Sequence, residues 1–233
     1  TTGPNGPTEI STGSGAGTQT AALAYTNSDA SNTNGNDKLY IYDGTSWAVS
    51  PATLGTARRS AARGGMATTA NTALAAAGRN PNAVTLTEEY SLSIYSPIAA
   101  TWASGGNLTT ARESGAVSGT KTAGLYAGGK VYPNSFQNAS EEYDGTSWAE
   151  GNNLGTARSN IGGAGTQTAG LAAGGTNGAP GSTGVQTATE EYGGTSWTAG
   201  GALSTARMNT STAGLQTAAF LAGGINSSNN LVT

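Results

Sequence analysis

Large apolar side chains are sparse along this chain, and the few that occur return in register. Residues 42–47 read Tyr-Asp-Gly-Thr-Ser-Trp, with close copies at residues 143–148 and 192–197 and a looser copy at residues 95–102. Each Trp is followed ten or eleven residues later by the arginine of a Thr-Ala-Arg tripeptide. Repetition at a period of roughly 20 to 50 residues is typical of repeat architectures. The pattern therefore predicts a repeat protein.

A second element, rich in small residues, lies between each arginine and the next Trp. Its five copies are marked by Thr20, Thr72, Thr122, Thr168 and Thr217, at spacings of 52, 50, 46 and 49 residues. One unit is interpreted as four short strands, near residues 158–165, 167–174, 186–192 and 195–200. Asp-Gly and Gly-Gly pairs between strand-like runs indicate hairpin turns. Frequent glycine, β-branched threonine and the absence of a 3.6-residue apolar stripe disfavour helix.

Four strands in a unit of about 49 residues are typical of a propeller blade. The order of an arginine, a small-residue strand, Gly174-Gly175, Glu190-Glu191-Tyr192 and Trp197 resembles a kelch repeat. The amino-acid sequence of the copies is also similar to that of kelch-like repeat proteins of marine phages and bacteria. Two units depart from the pattern, with Thr26-Asn27 and Gly78-Arg79 where the glycine pair belongs. The resemblance implies a β-propeller over nearly the whole chain.

The predicted fold is all-β: a five-bladed β-propeller with four-stranded kelch-like blades, forming a single domain over residues 1–233. The last blade is predicted to be shared between the termini, because residues 1–8 align in spacing with residues 198–205. The repeat units are expected at about residues 8–50, 58–104, 112–150, 158–200, and 207–233 plus 1–7.

The amino-acid composition argues against several kinds of functional site and partner. The chain has no His and no Cys, which removes the usual ligands of zinc, copper and haem and every His-based catalytic device. Net charge is −3 and the ten basic residues form no cluster, so no nucleic-acid partner is expected. No run of 18 apolar residues occurs, so no membrane insertion is expected. No cofactor, no metal and no enzymatic activity are predicted.

The repeated large residues are interpreted as structural rather than as binding groups. The tryptophans are expected to pack between blades, where a large aromatic contributes most by burial. The arginines could hold an anion, but the kelch resemblance implies that each pairs with a carboxylate, with Glu89, Glu142 and Glu191 as the expected partners. The repeat positions are Trp47, Trp102, Trp148, Trp197, Arg58, Arg112, Arg158 and Arg207.

Adjacent glutamates at residues 88–89, 141–142 and 190–191 could be the paired carboxylates of a glycosidase. Neighbouring residues on a strand face opposite sides, however, so neither member of a pair shares a site with the other. A structural role is therefore favoured for these glutamates.

Recognition is expected where the repetition breaks, in the loops that follow the second strand of each unit. These loops are expected to share a face with the residues just after each arginine. The loop at residues 130–136 is singled out because it combines aromatic side chains with a cation. The candidate contact surface is Lys130, Tyr132, Phe136, Asn160 and Asn209.

These observations favour a non-catalytic binding or assembly module on a virion, an appendage such as a tail fibre, or a cell surface, in a structural or adhesion role. The partner is expected to be a protein or a surface glycan that meets the variable loops as part of a larger assembly. The first alternative is a glycan-binding lectin with repeated pockets between blades. The expected location is extracellular or on the virion surface.

Overall fold

The computed structural model describes residues 14–25, 35–60, 72–80, 82–91, 101–178 and 184–232. Every regular element in these ranges is a β strand, and the strands form antiparallel sheets in which sequence neighbours pair. No helix that could cross a membrane occurs among these residues. The described part of the chain is therefore all-β, as predicted.

Four sheets, called blades A to D, follow one another along the chain. Blade A contains β1 (Ser14–Thr18), β2 (Ala21–Tyr25), β3 (Asn36–Tyr42) and β4 (Trp47–Arg58). Blade B contains β5 (Thr72–Ala76), β6 (Thr87–Ser91) and β7 (Thr101–Ser104). Blade C contains β8 (Ala116–Thr120), β9 (Ala123–Ala127), β12 (Ser140–Tyr143) and β13 (Trp148–Glu150), with a small hairpin, β10 (Lys130–Val131) and β11 (Ser135–Phe136), before β12. Blade D contains β14 (Gly162–Gly165), β15 (Gly170–Ala173), β16 (Thr189–Tyr192) and β17 (Trp197–Ala199).

The turns that join these strands follow from local chemistry. In the turn between β14 and β15, Gly165 has φ +97°, and a Cβ at this position would lie 2.1 Å from the carbonyl oxygen of Ala169. Only glycine adopts such a backbone without strain. In the turn between β3 and β4, the Asp43 carboxylate accepts the N–H groups of Thr45 and Ser46, both at 2.8 Å. The Asp-Gly turns predicted from the sequence are thus Asx-type turns.

The departure expected at Gly78-Arg79 is smaller than predicted. Ala77 and Gly78 have φ values of +60° and +105°, close to the +65° and +97° of Gly174 and Gly175 in blade D. The two residues with positive φ are therefore Ala77 and Gly78, one residue before the Gly78-Arg79 position that was predicted. Ala77, the first of them, is fully buried. The other departure, Thr26-Asn27, lies outside the described residues.

The first strand of blade D, β14, packs against β8 of blade C on one side and against β18 (Ser211–Leu215) on the other. In blade B, β5 corresponds to the second strand of the other blades, and it contacts both β1 and β8. Small residues permit this approach: a Cβ at Gly163 of β14 would lie 2.6 Å from the carbonyl oxygen of Val117 in β8. The blades are thus arranged as a β-propeller.

The structure shows four blades and not the five that were predicted. After blade D, the chain forms only a two-stranded hairpin of β18 and β19 (Ala218–Ala222), called the terminal hairpin. In blades A, C and D the second strand pairs with a third strand, whereas no described residue pairs with the outer edge of β19. Residues 1–7, which were assigned to the fifth blade, lie outside the described ranges. The count was wrong because two of the strands required for that blade are not formed by any described residue.

The apolar core is divided among the junctions between blades. One cluster joins Leu23 and Leu39 of blade A to Tyr90 and Trp102 of blade B. A second joins Leu74 of blade B to residues of blade C, and a third joins blades C and D. Because no blade can cover its own faces, burial of apolar surface depends on the neighbouring blade.

Candidate functional site

Three of the four repeat arginines form a buried ion pair with a glutamate of the following blade. The second oxygen of each carboxylate accepts a backbone N–H from the preceding blade, as Glu190 does from Gly155 at 2.7 Å. The three guanidinium groups are at most 1% exposed. We call this arrangement the arginine lock. The locks are Arg58–Glu88, Arg112–Glu141 and Arg158–Glu190.

The predicted partners Glu89, Glu142 and Glu191 were wrong by one residue, because the second glutamate of each pair lies on the other face of its strand. Glu89 instead accepts a hydrogen bond from Tyr143 Oη of the next blade at 2.7 Å. Glu142 accepts one from Tyr192 Oη. The two glutamates of a pair therefore face the two neighbouring blades.

These hydrogen bonds change how the tyrosines titrate. Burial, followed by the hydrogen bond to Glu89, raises the pKa of Tyr143 from 10.0 to about 12. Burial and the hydrogen bond to Glu142 raise the pKa of Tyr192 in the same direction. Both tyrosines are neutral donors at ordinary pH, and their role is to hold carboxylates rather than to move protons.

The tryptophans of blades B, C and D lie against the preceding blade. Trp148 Nε1 donates to Thr87 Oγ1 of blade B at 3.1 Å, and the Trp102 ring lies 5.6 Å from the Tyr25 ring of blade A, measured between centroids. All four tryptophan rings, including that of Trp47, also lie next to a tyrosine of their own blade, with ring centroids 5.0 to 5.4 Å apart.

Four residues in a left-handed backbone conformation form a line of hydrogen bonds that crosses from blade to blade. We call them the belt. The N–H of each later member donates to the carbonyl of the preceding one, at 3.3, 2.7 and 3.1 Å. Left-handed backbone is costly for most residues other than glycine, and among these asparagine tolerates it well and occupies two of the four positions. The belt is Ser60, Ser114, Asn160 and Asn209, with φ values of 53°, 60°, 56° and 58°.

The residue before each belt residue pairs with the loop that follows the second strand. Glu113 and Lys130 exchange backbone hydrogen bonds at 3.0 and 2.9 Å, and Ser159 and Thr176 do the same at 2.8 Å. The structure thus places the loops and the belt on one face of the propeller, called the loop face.

A group of charged and aromatic side chains from two blades meets on this face. Arg79 Nη1 of blade B lies 3.4 Å from Glu113 Oε1 of blade C, and Lys130 Nζ lies 3.7 Å from the same oxygen. Glu113 is 2% exposed, whereas Tyr132 is 58% exposed, with the Arg79 guanidinium 5.7 Å from its ring centre. Arg79, Glu113, Lys130 and Tyr132 form the loop-face cluster. A buried carboxylate positions two cations beside an exposed ring.

The five candidate contact residues fall into two groups. Lys130 and Phe136 pair across the β10–β11 hairpin, and Tyr132 lies at its tip. Asn160 and Asn209 lie in the belt, where their backbone groups hold blades together. The structure brings the first three residues together in one hairpin, and the belt asparagines lie on the same face of the propeller.

Sequence reasoning missed the connection between Arg79 and Glu113. Both segments were singled out, one as a variable loop and the other as the residues after an arginine. The two side chains are 34 residues apart and belong to different blades. Only the ring arrangement brings them together, so no local pattern could have paired them.

The described residues contain no group of three or more His, Cys, Asp or Glu side chains that could hold a metal ion. Fold and site together define a β-propeller whose blades are joined by buried Arg–Glu pairs and which carries a cation–aromatic cluster on one face. Comparison with protein-family models and with curated proteins finds no match to this sequence.

Proposed function

We propose that the chain is a non-catalytic binding or assembly module, a kelch-like propeller displayed on a virion, an appendage or a cell surface. Its contact surface is the loop-face cluster together with Phe136. Its partner is a protein or glycan surface that carries negative charge.

The observation that carries this proposal is the composition of the cluster. Two cations surround one carboxylate, which leaves a net positive charge, and the Tyr132 ring next to them is more than half exposed. Arginine and tyrosine are among the residues that dominate binding energies at interfaces. Glu113 and Lys130 are held by two mutual backbone hydrogen bonds, and the backbone of Arg79 is held in the same way by Arg59, so the surface is pre-organised.

Composition supports an exposed setting. Charged residues make up 10% of the chain, and neither Cys nor His is present. A polar, weakly charged propeller with recognition loops on a rigid frame suits adhesion or attachment. The resemblance to kelch-like phage and bacterial proteins favours the same setting.

The test is binding to immobilised acidic polysaccharides and poly-glutamate by biolayer interferometry. We expect a salt-dependent signal that falls about tenfold in Tyr132→Ala and in Lys130→Ala. Val49→Ala serves as the matched control, because Val49 is 63% exposed but lies on blade A, away from the cluster. Equal binding by all four proteins, or binding by none, would contradict the proposal.

A lectin remains the second candidate because a cleft of about 480 Å³ lies at the junction of blades A and B. Its lining includes Trp102, Ser104 and Asn107, a combination of aromatic ring and polar groups suited to a sugar. A glycan array with the wild-type chain and Asn107→Ala distinguishes the two candidates. Neutral glycans retained by the wild type and lost by Asn107→Ala would favour the lectin.

A further inference from the structure

The backbone pairs of the loop face differ in side-chain chemistry from blade to blade. In each pair, the residue before a belt residue exchanges two backbone hydrogen bonds with a residue of the following loop, at 2.8 to 3.1 Å. Residues paired in this way have Cα atoms about 5.5 Å apart, and their side chains lie on the same side of the pair. The four pairs are Arg59–Arg79, Glu113–Lys130, Ser159–Thr176 and Met208–Ile225.

The pair of Arg59 and Arg79, called the arginine pair, is the exception among these four. Opposite charges, two hydroxyl groups or two apolar groups are each compatible with directly opposed positions, whereas two like charges destabilise the pairing. Both arginines are half-buried, so solvent and salt screen their repulsion only in part. An anion bound between the two guanidinium groups relieves this repulsion.

The arginine pair adjoins the loop-face cluster and adds to its positive charge. The belt hydrogen bond between blades B and C places Arg59 and Glu113 at successive positions around the ring. Arg79 and Lys130 lie 3.4 and 3.7 Å from the same oxygen of Glu113. With Arg59 included, the cluster contains three cations and one carboxylate, although the chain as a whole has a net charge of −3. This part of the loop face is therefore suited to an anionic group.

Two guanidinium groups match a sulfate ester better than they match a carboxylate. One guanidinium donates two parallel hydrogen bonds to the two oxygens of a carboxylate, which lie in one plane. The three terminal oxygens of a sulfate ester point in three directions from the sulfur, so they can accept hydrogen bonds from two guanidinium groups at once. The arginine pair therefore favours a tetrahedral oxyanion.

Tyr132 indicates what kind of molecule carries the ester. Its ring is 58% exposed, and the Arg79 guanidinium lies 5.7 Å from the ring centre. An exposed aromatic ring offers a flat apolar surface on which the C–H face of a sugar ring can pack. In a sulfated polysaccharide the ester is attached to the sugar, so one sugar unit reaches both Tyr132 and the arginine pair. A phosphoserine or phosphothreonine side chain brings no such ring, so these contacts favour the sugar.

We propose that Arg59 and Arg79, together with Lys130 and Tyr132, bind a sulfate ester on a polysaccharide. The two guanidinium groups donate to the sulfate oxygens, and the Lys130 ammonium adds positive charge beside Glu113. The sugar ring packs on Tyr132. The site rests on the proposed function, because it names the chemical class of the partner that meets the same surface.

The test compares two derivatives of one polymer, dextran sulfate and carboxymethyl dextran, at equal length and equal charge per sugar. Each polymer is immobilised, and binding of the whole chain is measured by biolayer interferometry at fixed ionic strength. We expect the chain to bind dextran sulfate about tenfold more tightly than carboxymethyl dextran, because only the sulfate accepts from both guanidinium groups. Unmodified dextran is expected to give no signal.

The arginine pair is varied in the same experiment. Arg59→Lys keeps the positive charge but removes one guanidinium, so it is expected to weaken dextran sulfate about tenfold and carboxymethyl dextran by less than about twofold. Lys121→Gln is the charge control, because Lys121 follows β8 at the end away from the belt. This variant is expected to keep both affinities of the wild type. Thermal melts of each variant show that the fold is retained.

The outcomes separate the sulfate site from the proposed function. Carboxymethyl dextran that binds as tightly as dextran sulfate overturns the sulfate site and leaves the proposed function in place. Unchanged binding of dextran sulfate by Arg59→Lys has the same meaning.

Two further results also count against the proposal. A phosphoserine peptide that competes with immobilised dextran sulfate at lower concentration than a monosulfated disaccharide identifies a phosphorylated protein as the partner and overturns the sugar. Binding of neither charged polymer overturns both the sulfate site and the proposed function.

Discussion

The junctions between blades A and B and between blades C and D share the arginine lock but differ in what surrounds it. At the C–D junction, Tyr192 Oη donates to Glu142 and Trp197 Nε1 donates to Ser140 Oγ at 3.3 Å. Every buried polar group contributed by these two rings has a partner.

At the A–B junction the same two atoms, Tyr90 Oη and Trp102 Nε1, are buried without a hydrogen-bond partner. The cause lies in β3, where Leu39 and Ile41 stand at the positions that Ser140 and Glu142 hold in blade C. Neither aliphatic side chain can accept a hydrogen bond. The A–B junction is thus more apolar and carries two unsatisfied groups.

The difference separates two contributions to blade packing. The arginine lock is present at both junctions. The tyrosine and tryptophan hydrogen bonds are additional, because at the A–B junction the two rings are packed without them. Four predictions test this division, beginning with the largest effect.

Arg158→Ala is expected to lower the free energy of unfolding by about 3–5 kcal/mol, because it leaves Glu190 nearly buried and unpaired. Arg58→Ala should cost a similar amount at the A–B junction, where Glu88 is left in the same state. Urea unfolding followed by tryptophan fluorescence measures both. Asn153→Ala, an exposed loop change, is the control. A loss at only one junction would show that the lock is not the shared element.

Tyr192→Phe is expected to cost about 2 kcal/mol, because the Glu142 carboxylate loses its donor in a largely buried setting. Tyr90→Phe should change stability by less than about 0.5 kcal/mol, since it removes a hydroxyl that has no partner. The same urea titration compares the two variants. Equal losses would mean that the two junctions do not differ in hydrogen bonding.

Ile41→Glu is expected to convert the A–B junction toward the C–D type by giving Tyr90 Oη an acceptor. A double-mutant cycle of Ile41→Glu with Tyr90→Phe should then show a coupling energy of about 1 kcal/mol. Zero coupling would place the introduced carboxylate in solvent, away from Tyr90.

The last prediction concerns alkaline pH. The pKa of Tyr143 is raised from 10.0 to about 12, so its contribution to stability is complete below pH 10 and is lost as pH rises toward 12. Unfolding titrations between pH 9 and 12 should show a shallower decline for Tyr143→Phe than for the wild type. The decline for Tyr143→Phe persists in part, because burial also raises the pKa of Tyr126 to about 12.

The local elements were predictable because their chemistry is local. The strand expected near residues 167–174 contains β15 (Gly170–Ala173), and the Asp-Gly turns lie where expected. Features that join blades were predicted less well. The arginine partner was misplaced by one residue, because sequence does not say which face of the third strand turns toward the preceding blade.

The blade count failed for a related reason. Counting copies of the small-residue element predicts five units, and its fifth copy does form the terminal hairpin. A blade also needs a third and a fourth strand. A fifth copy of the first two strands does not guarantee that described residues form the other two. The loop-face cluster needed the same three-dimensional information, since Arg79 and Tyr132 belong to different blades.

The belt gives the fold a direction. The amides of Ser114, Asn160 and Asn209 each donate to a carbonyl that precedes them in the chain, and each locking arginine precedes its glutamate by 29 to 32 residues. A chain leaving the ribosome therefore offers every new blade a surface that is already folded, with an acceptor carbonyl and a waiting cation. Propeller growth can proceed in the order of translation, and contacts that bypass a blade are not required for the next one to form.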